Sequence, residues 1–306
     1  MIISFSKNLG VQIIGIIRKN SRAILFFILW GGIIYILYHY LSMEFIAVPI
    51  SAVSILGGAL AFFLAFRNNS AYDRWWEARK IWGGIVNVSR TFAGYVSNFI
   101  QNEDQDLIQP IVKRHLAWIN ALRIQLREQD LWQEVYCYLK EQDVEQLQVA
   151  KNKATQIIQK QIKVITDIKK RGNIDPFEHQ MLMGCLKEMY DLQGKAERIK
   201  KTVFPYYYEY FTRLFLWIFI LFLPLALVPL MGWHSAPLSV LTSFVFYILE
   251  RTGAATETPL DWNSSGTPMS TLCRVIEVDV LQQINESDIP GPYQIQVTRN
   301  GSLFLD

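Results

Sequence analysis

Charge disappears from this chain between Glu44 and Arg67, and the 22 residues between them are Phe, Leu, Ala, Ile, Val, Gly and Ser with one Pro. At 1.5 Å per residue such a helix is roughly 33 Å long, enough for a hydrocarbon core of about 30 Å. A similar uncharged run covers residues 23–43, and a third covers 214–249. The third is long enough for two helices, with the break at Met231-Gly232-Trp233-His234-Ser235-Ala236-Pro237, where Gly and Pro punctuate. The pattern predicts four membrane spans. Pro224 and Pro229 inside the third remove two backbone donors, which predicts a kink and carbonyls satisfied from neighbouring elements.

Outside the spans the apolar period is helical. Residues 1–20 carry Val11, Ile13, Ile14, Ile16 and Ile17 beside Arg18 and Lys19, which fits a helix at the inner headgroup layer or one packed on the soluble part. The second span is expected to continue through residues 73–100 as a cytoplasmic helix, with a break at Asn102-Glu103-Asp104. Further helices are expected over 107–129, 130–140 and 149–170, the last stopped at Arg171-Gly172-Asn173. Asp175-Pro176-Phe177-Glu178 restarts a helix to about Lys200, with Asp as N-cap and Pro at the first helical position. After a polar loop, residues 269–283 regain helical spacing, and a weak strand candidate lies at 293–297.

Composition changes this picture only by showing a mixed chain. It is 51% hydrophobic, yet 30 basic and 27 acidic residues crowd into the parts that are not spans. The net charge of +3 matters less than its placement: the loops at 41–45 and 231–237 hold no Lys or Arg, while basic residues flank the other ends of the spans. By the positive-inside rule both termini and the long middle region are cytoplasmic. Residues 1–20 lack a cleavable-signal pattern, so the first span is expected to be the targeting signal. Cys137, Cys185 and Cys273 fit neither a disulfide framework nor a zinc ribbon and are read as buried free thiols.

Catalytic chemistry is not legible. His39, His115, His179 and His234 sit in different segments without metal-ligand spacing, and the Gly57-Gly58 and Gly83-Gly84 pairs lie within helices, where close packing explains them. The chain is read as no enzyme, with no cofactor, no metal and no nucleic-acid partner. Phe62 and Phe66, one turn apart on one face, admit two readings: core packing, or rings around an axis shared by several copies, forming a constriction that gates by dewetting.

The run Phe66-Arg67-Asn68-Asn69-Ser70-Ala71-Tyr72-Asp73-Arg74-Trp75-Trp76-Glu77-Ala78-Arg79-Lys80-Ile81-Trp82-Gly83, placed directly at the end of an apolar span, resembles the bestrophin family in its bacterial-type branch. The resemblance extends over nearly the whole chain, including Glu257-Thr258-Pro259-Leu260 after the fourth span. It implies an all-α integral membrane protein in which four transmembrane helices and a cytoplasmic helical vestibule assemble as a homopentamer. The family's ring-forming neck positions fall on Gly58, Phe62 and Phe66, whereas periodicity alone makes Ile55, Ala59, Phe62 and Phe66 an equal stripe. The lower aperture of the family corresponds to Ile199, Thr202 and Val203, with the register open between them. Asp73, Arg74, Trp75, Trp76 and Glu77 are expected to act as an interfacial anchor and subunit interface. Glu257 and Asp261 are what remains of the acidic calcium clasp of eukaryotic members, with Trp262, Asn263, Ser264, Ser265 and Gly266 where more carboxylates would be needed.

The expected organisation is therefore an N-terminal interfacial helix at 1–22, spans one and two at 23–66, a cytoplasmic vestibule domain at 67–210, spans three and four at 211–250, and a cytoplasmic loop and helix at 251–306. The expected activity is passive conduction of monovalent ions in a cell membrane, in contact with lipids. The bacterial-type motif leans toward cations, with anions the alternative. A membrane scaffold with Phe62 and Phe66 packed inside each subunit is the rival of another class.

Overall fold

Two prolines sit inside one helix of this protein, and the groups that satisfy the carbonyls around them show how the apolar part is built. In the computed structural model, which describes residues 9–100, 106–202, 206–262, 266–291, 296–297 and 303–304, helix α9 (Tyr206–Met231) runs through Pro224 and Pro229. Pro229 has no N–H to offer the carbonyl of Leu225, and the backbone N–H of Val48 donates to that oxygen at 3.4 Å. Trp30 Nε1 donates at 3.1 Å to Leu221, next to the carbonyl that Pro224 leaves free. Both donors come from outside the helix.

The chain divides into two units, one of residues 1–75, 203–258 and 296–304, the other of residues 76–202, 259–295 and 305–306. The division falls inside the aromatic and charged run, after Trp75, and not at Arg67 or at 210 and 250, where composition changes. The first unit contains α1 (Leu9–Lys19), α2 (Ser21–His39), the first half of the 50-residue α3 (Ile50–Phe99), α9, and α10 (Ser235–Thr256). Three stretches are long and apolar enough to cross a membrane: Ser21–His39, Glu44–Phe99 and Tyr206–Thr256. The last is folded at a 3-10 turn, Gly232–His234, where Gly232 has φ +54°. The result is an antiparallel hairpin, since Phe219 of α9 meets Phe246 of α10 at 4.8 Å between ring centroids and Arg213 lies 3.9 Å from Glu250.

Helix α2 packs on both arms of that hairpin, with Phe26 against Trp217 and Phe27 against Tyr247. Phe27, Val53, Leu60, Leu64, Leu216, Phe219 and Leu223 form the core of the unit. Gly57 is where α3 comes close to α9: a Cβ there would stand 2.8 Å from the ring of Phe219. Around α1, Ile13, Ile14, Ile16 and Ile17 are exposed.

In the second unit α4 (Ile108–Arg127) is surrounded, with Ile111, Leu116, Trp118, Ile119 and Leu122 buried among α7 (Lys153–Lys170), α8 (Pro176–Lys201), α11 (Met269–Gln283) and the later part of α3. Trp118 Nε1 donates to Gln193 Oε1 at 3.0 Å, so the indole is buried with its donor satisfied. The start of α8 is a full capping box: the Asp175 carboxylate accepts from Phe177 and Glu178 N–H, and Glu178 accepts from Asp175 N–H. Gly172 ends the preceding helix region with φ +84°.

Four expectations are adjusted. The helix expected over 130–140 shrinks to a single turn, α5 (Gln133–Tyr136), followed by α6 (Glu141–Gln148). Helix α7 starts at Lys153, where the Asn152 side chain caps it by accepting from Thr155 N–H. Cys185 and Cys273 are buried, but Cys137 is exposed beside α5. The strand candidate is a two-residue pairing of β1 (Gln296–Val297) with β2 (Leu303–Phe304), antiparallel, with Gln296 opposite Phe304. The break expected at Asn102-Glu103-Asp104 lies outside the described residues.

Candidate functional site

The first half of α3 has two unlike sides. Val53, Gly57, Leu60, Leu64 and Arg67 point into the first unit and are buried. Ile55, Gly58, Phe62 and Phe66, at helical spacing of three or four, lie on the other side and are uncovered: Ile55 is 75%, Phe62 72% and Phe66 52% exposed. A Cβ on Gly58 would meet nothing within 4 Å, so its lack of a side chain answers to no neighbour in the subunit. Phe66 is flanked by the ring of Tyr208 at 5.8 Å, and Phe63 by Phe215 at 6.0 Å. Aromatic neighbours on α9 thus border the stripe without covering it.

One residue beyond Phe66 the helix buries a charge. Arg67 is fully enclosed and donates through both Nε and Nη2 to the two carboxylate oxygens of Glu257, the second at 3.0 Å, and through Nη1 to Glu250 at 3.2 Å. A guanidinium buried in this way needs such partners, because taking an unpaired charge out of water costs several kcal/mol or more. Arg213 adjoins the cluster, 3.9 Å from Glu250 and paired with Glu209 at 2.8 Å. Asn68 Nδ2 donates to the Leu249 carbonyl at 3.3 Å, and a Cβ on Gly253 would stand 2.1 Å from Asn68 Oδ1. Arg67 and Asn68 therefore fasten α3 to α10.

Sequence reasoning named Glu257 here but missed Glu250. The signal was present: Glu250 is the first charge after the uncharged run 214–249, just as Arg67 is the first charge after its own, so two spans end in opposite charges.

The family model described as Bacterial/Fungal Bestrophin protein matches residues 11–282. This chain belongs to the bestrophin family. Among curated proteins it is 29% identical over 276 residues to the voltage-dependent anion channel-forming protein YneE of Escherichia coli K12, covering 90% of this chain and 89% of that one. The protein of the same name in Salmonella typhi is 30% identical over 273 residues, covering 89% and 88%. Among solved structures, a bacterial bestrophin homolog from Klebsiella pneumoniae superposes with a TM-score of 0.82 at 25% identity, over 87% of this chain and 98% of that one. The chain is thus a member of a family of membrane ion channels, which is not an enzyme family.

The other residues singled out in this bestrophin fall as follows. Asp73 and Trp76 are exposed, while Arg74, Trp75 and Glu77 are half-buried, with Glu77 2.6 Å from Lys80 one turn on. Ile199 lies in the hydrophobic core of the second unit, Thr202 is exposed at the end of α8, and Val203 is outside the described residues. Burial withdraws the Ile199 side chain from any surface an ion could touch within the subunit. Of the clasp remnants, Glu257 is held by Arg67, and Asp261 accepts from Lys200 at 2.8 Å. Both carboxylates already have cationic partners, which leaves them poorly placed to surround a calcium ion.

Proposed function

We propose that five copies of this chain assemble around an axis lined by the Ile55, Gly58, Phe62 and Phe66 side of α3, and that the assembly conducts small monovalent ions passively across a cell membrane. Each subunit contributes four spans, α2, the first half of α3, α9 and α10, with both termini cytoplasmic and lipid around the outer helices. The observation that carries this reading is the uncovered stripe: Phe62 and Phe66, more than half exposed on one face of α3, are free to face an axis shared with other copies, on the span that ends in the family's charged run. Rings of benzyl groups at Phe62 and Phe66 would form a constriction that excludes water when closed. Gly58 makes the outer ring wider. The scaffold alternative, which packs both Phe side chains inside each subunit, loses support from the same exposure. At the cytoplasmic aperture, Thr202 is the exposed candidate and Val203 its neighbour in sequence.

Two readings of the permeant ion have separate support. The relatives are named as anion channel-forming proteins, and Phe edges, which carry partial positive charge, favour anions. The cation reading rests on the bacterial-type motif at residues 66–83 and on ring faces that attract cations. Purified protein in planar bilayers under asymmetric salt decides between them: reversal near the chloride potential selects anions, and reversal near the alkali-cation potential selects cations. A monomeric particle in native mass spectrometry, with no currents, would remove the pore reading altogether.

A further inference from the structure

A cavity of about 220 Å³ opens in the second unit between α6 and α7, with Arg114 of α4 at its base. Arg114 is more than nine-tenths buried. Its Nη1 donates to Gln161 Oε1 and its Nη2 to Asp143 Oδ2, each at 3.2 Å, while its Nε–H has no acceptor among the described residues. Asp143, itself buried, also receives the ammonium of Lys160. One carboxylate therefore holds two cations, and a third, Lys163, lines the same cavity with no ion-pair partner among the described residues. The adjoining depression, which shares Arg114 and Asp143, adds Lys113 and Lys140 and no further acid. Glu141 and Glu145, the other acidic groups of α6, line a separate hollow.

Cationic groups in such excess around one cavity leave it with an unspent attraction for a negative charge. Arg114 spends one N–H of each Nη on Gln161 and Asp143 and keeps the second, in the rigid fork that a carboxylate engages best. The rest of the lining is mixed: Leu139, Leu147 and Ile157 give an apolar wall beside the charged base, and Gln146, Gln156 and Gln159 add amides. Ligand cavities combine these two elements, an apolar body for contact area and a few polar groups for orientation.

We infer that this cavity binds a small organic carboxylate with a short apolar body, its carboxylate held by Arg114 and Lys163 and its body against Leu139, Leu147 and Ile157. The site belongs to the soluble part of the chain and is independent of the ion-pathway reading.

Isothermal titration calorimetry on the purified full chain in detergent, with hexanoate as the probe, tests this. Saturable binding is expected, with hexanamide and inorganic phosphate each at least tenfold weaker, because the first lacks the charge and the second the apolar body. Lys163 is exposed on α7, so Lys163→Glu should fold normally and weaken hexanoate at least tenfold. No saturable hexanoate heat, equal affinity in Lys163→Glu, or equal affinity for hexanamide or phosphate would overturn the assignment.

Discussion

Arg67 and Glu257, 190 residues apart in sequence, close on one another through two parallel N–H to oxygen bonds in a fully buried site. Glu250 shares the same guanidinium, so the three groups are unequal in what their loss would do. Arg67→Met strands two buried carboxylates and is expected to cost about 3–5 kcal/mol. Glu257→Gln leaves Arg67 paired with Glu250 and should cost less. Thermal unfolding of the purified protein, with both variants measured in one detergent, gives the order; the reverse order would show that Glu250 is not a working partner.

Phe62→Ala and Phe66→Ala remove the proposed rings. Each is expected to raise single-channel conductance or leak at least severalfold in planar bilayers, with little change in stability, because both side chains are largely exposed in the subunit. Unchanged currents in both variants would exclude this face from the ion path.

Neighbouring glycines should respond in opposite ways. Gly57→Ala drives a methyl group to within 2.8 Å of Phe219 and is expected to destabilise by about 1–3 kcal/mol. Gly58→Ala meets nothing within 4 Å and should fold as the native chain does. Melting temperatures of the two variants give the comparison, and Gly58→Phe, which restores a bulky outer ring, should lower conductance.

Acid should weaken the chain through His115. This imidazole lies between the rings of Phe92, at 5.2 Å, and Trp118, at 5.4 Å, and burial lowers its pKa from 6.5 to about 3. The native side chain stays neutral while the unfolded one takes up a proton, so stability present above pH 6.5 is lost as pH falls toward 3. Each unit in that window costs about 1.4 kcal/mol. His115→Phe should abolish this component, making the native chain about 2 kcal/mol more acid-sensitive than the variant on going from pH 6.5 to 5. Denaturant melts at the two pH values would show equal losses if His115 were accessible to protons.

Local chemistry was the legible part of the sequence. Asp175, Pro176 and Glu178 announce the start of α8 because their bonds are made within four residues, and Gly172 marks a stop for the same reason. Helix α11 follows from its spacing, with bounds at Met269 and Gln283. What depends on distant partners was not legible. Glu250 acquires its role only when α10 lies beside α3, and Ile199 looks like a candidate pore residue until the core of the second unit closes over it. The stretch around Gln133–Tyr136 holds too little apolar period to set a length, and there one turn is all that forms. For the stripe on α3, sequence gave the spacing of Phe62 and Phe66, but only packing decides which side of the helix is left bare.

The two donors that serve the proline-bearing helix differ in how they can be lost. Trp30 lends its indole, so almost any replacement there removes the bond to Leu221. Val48 lends its main chain, and every residue except proline carries the same group. The seam to Leu225 therefore survives at position 48 any residue that suits the half-buried seat of Val48 against the core, whereas proline would unpick it.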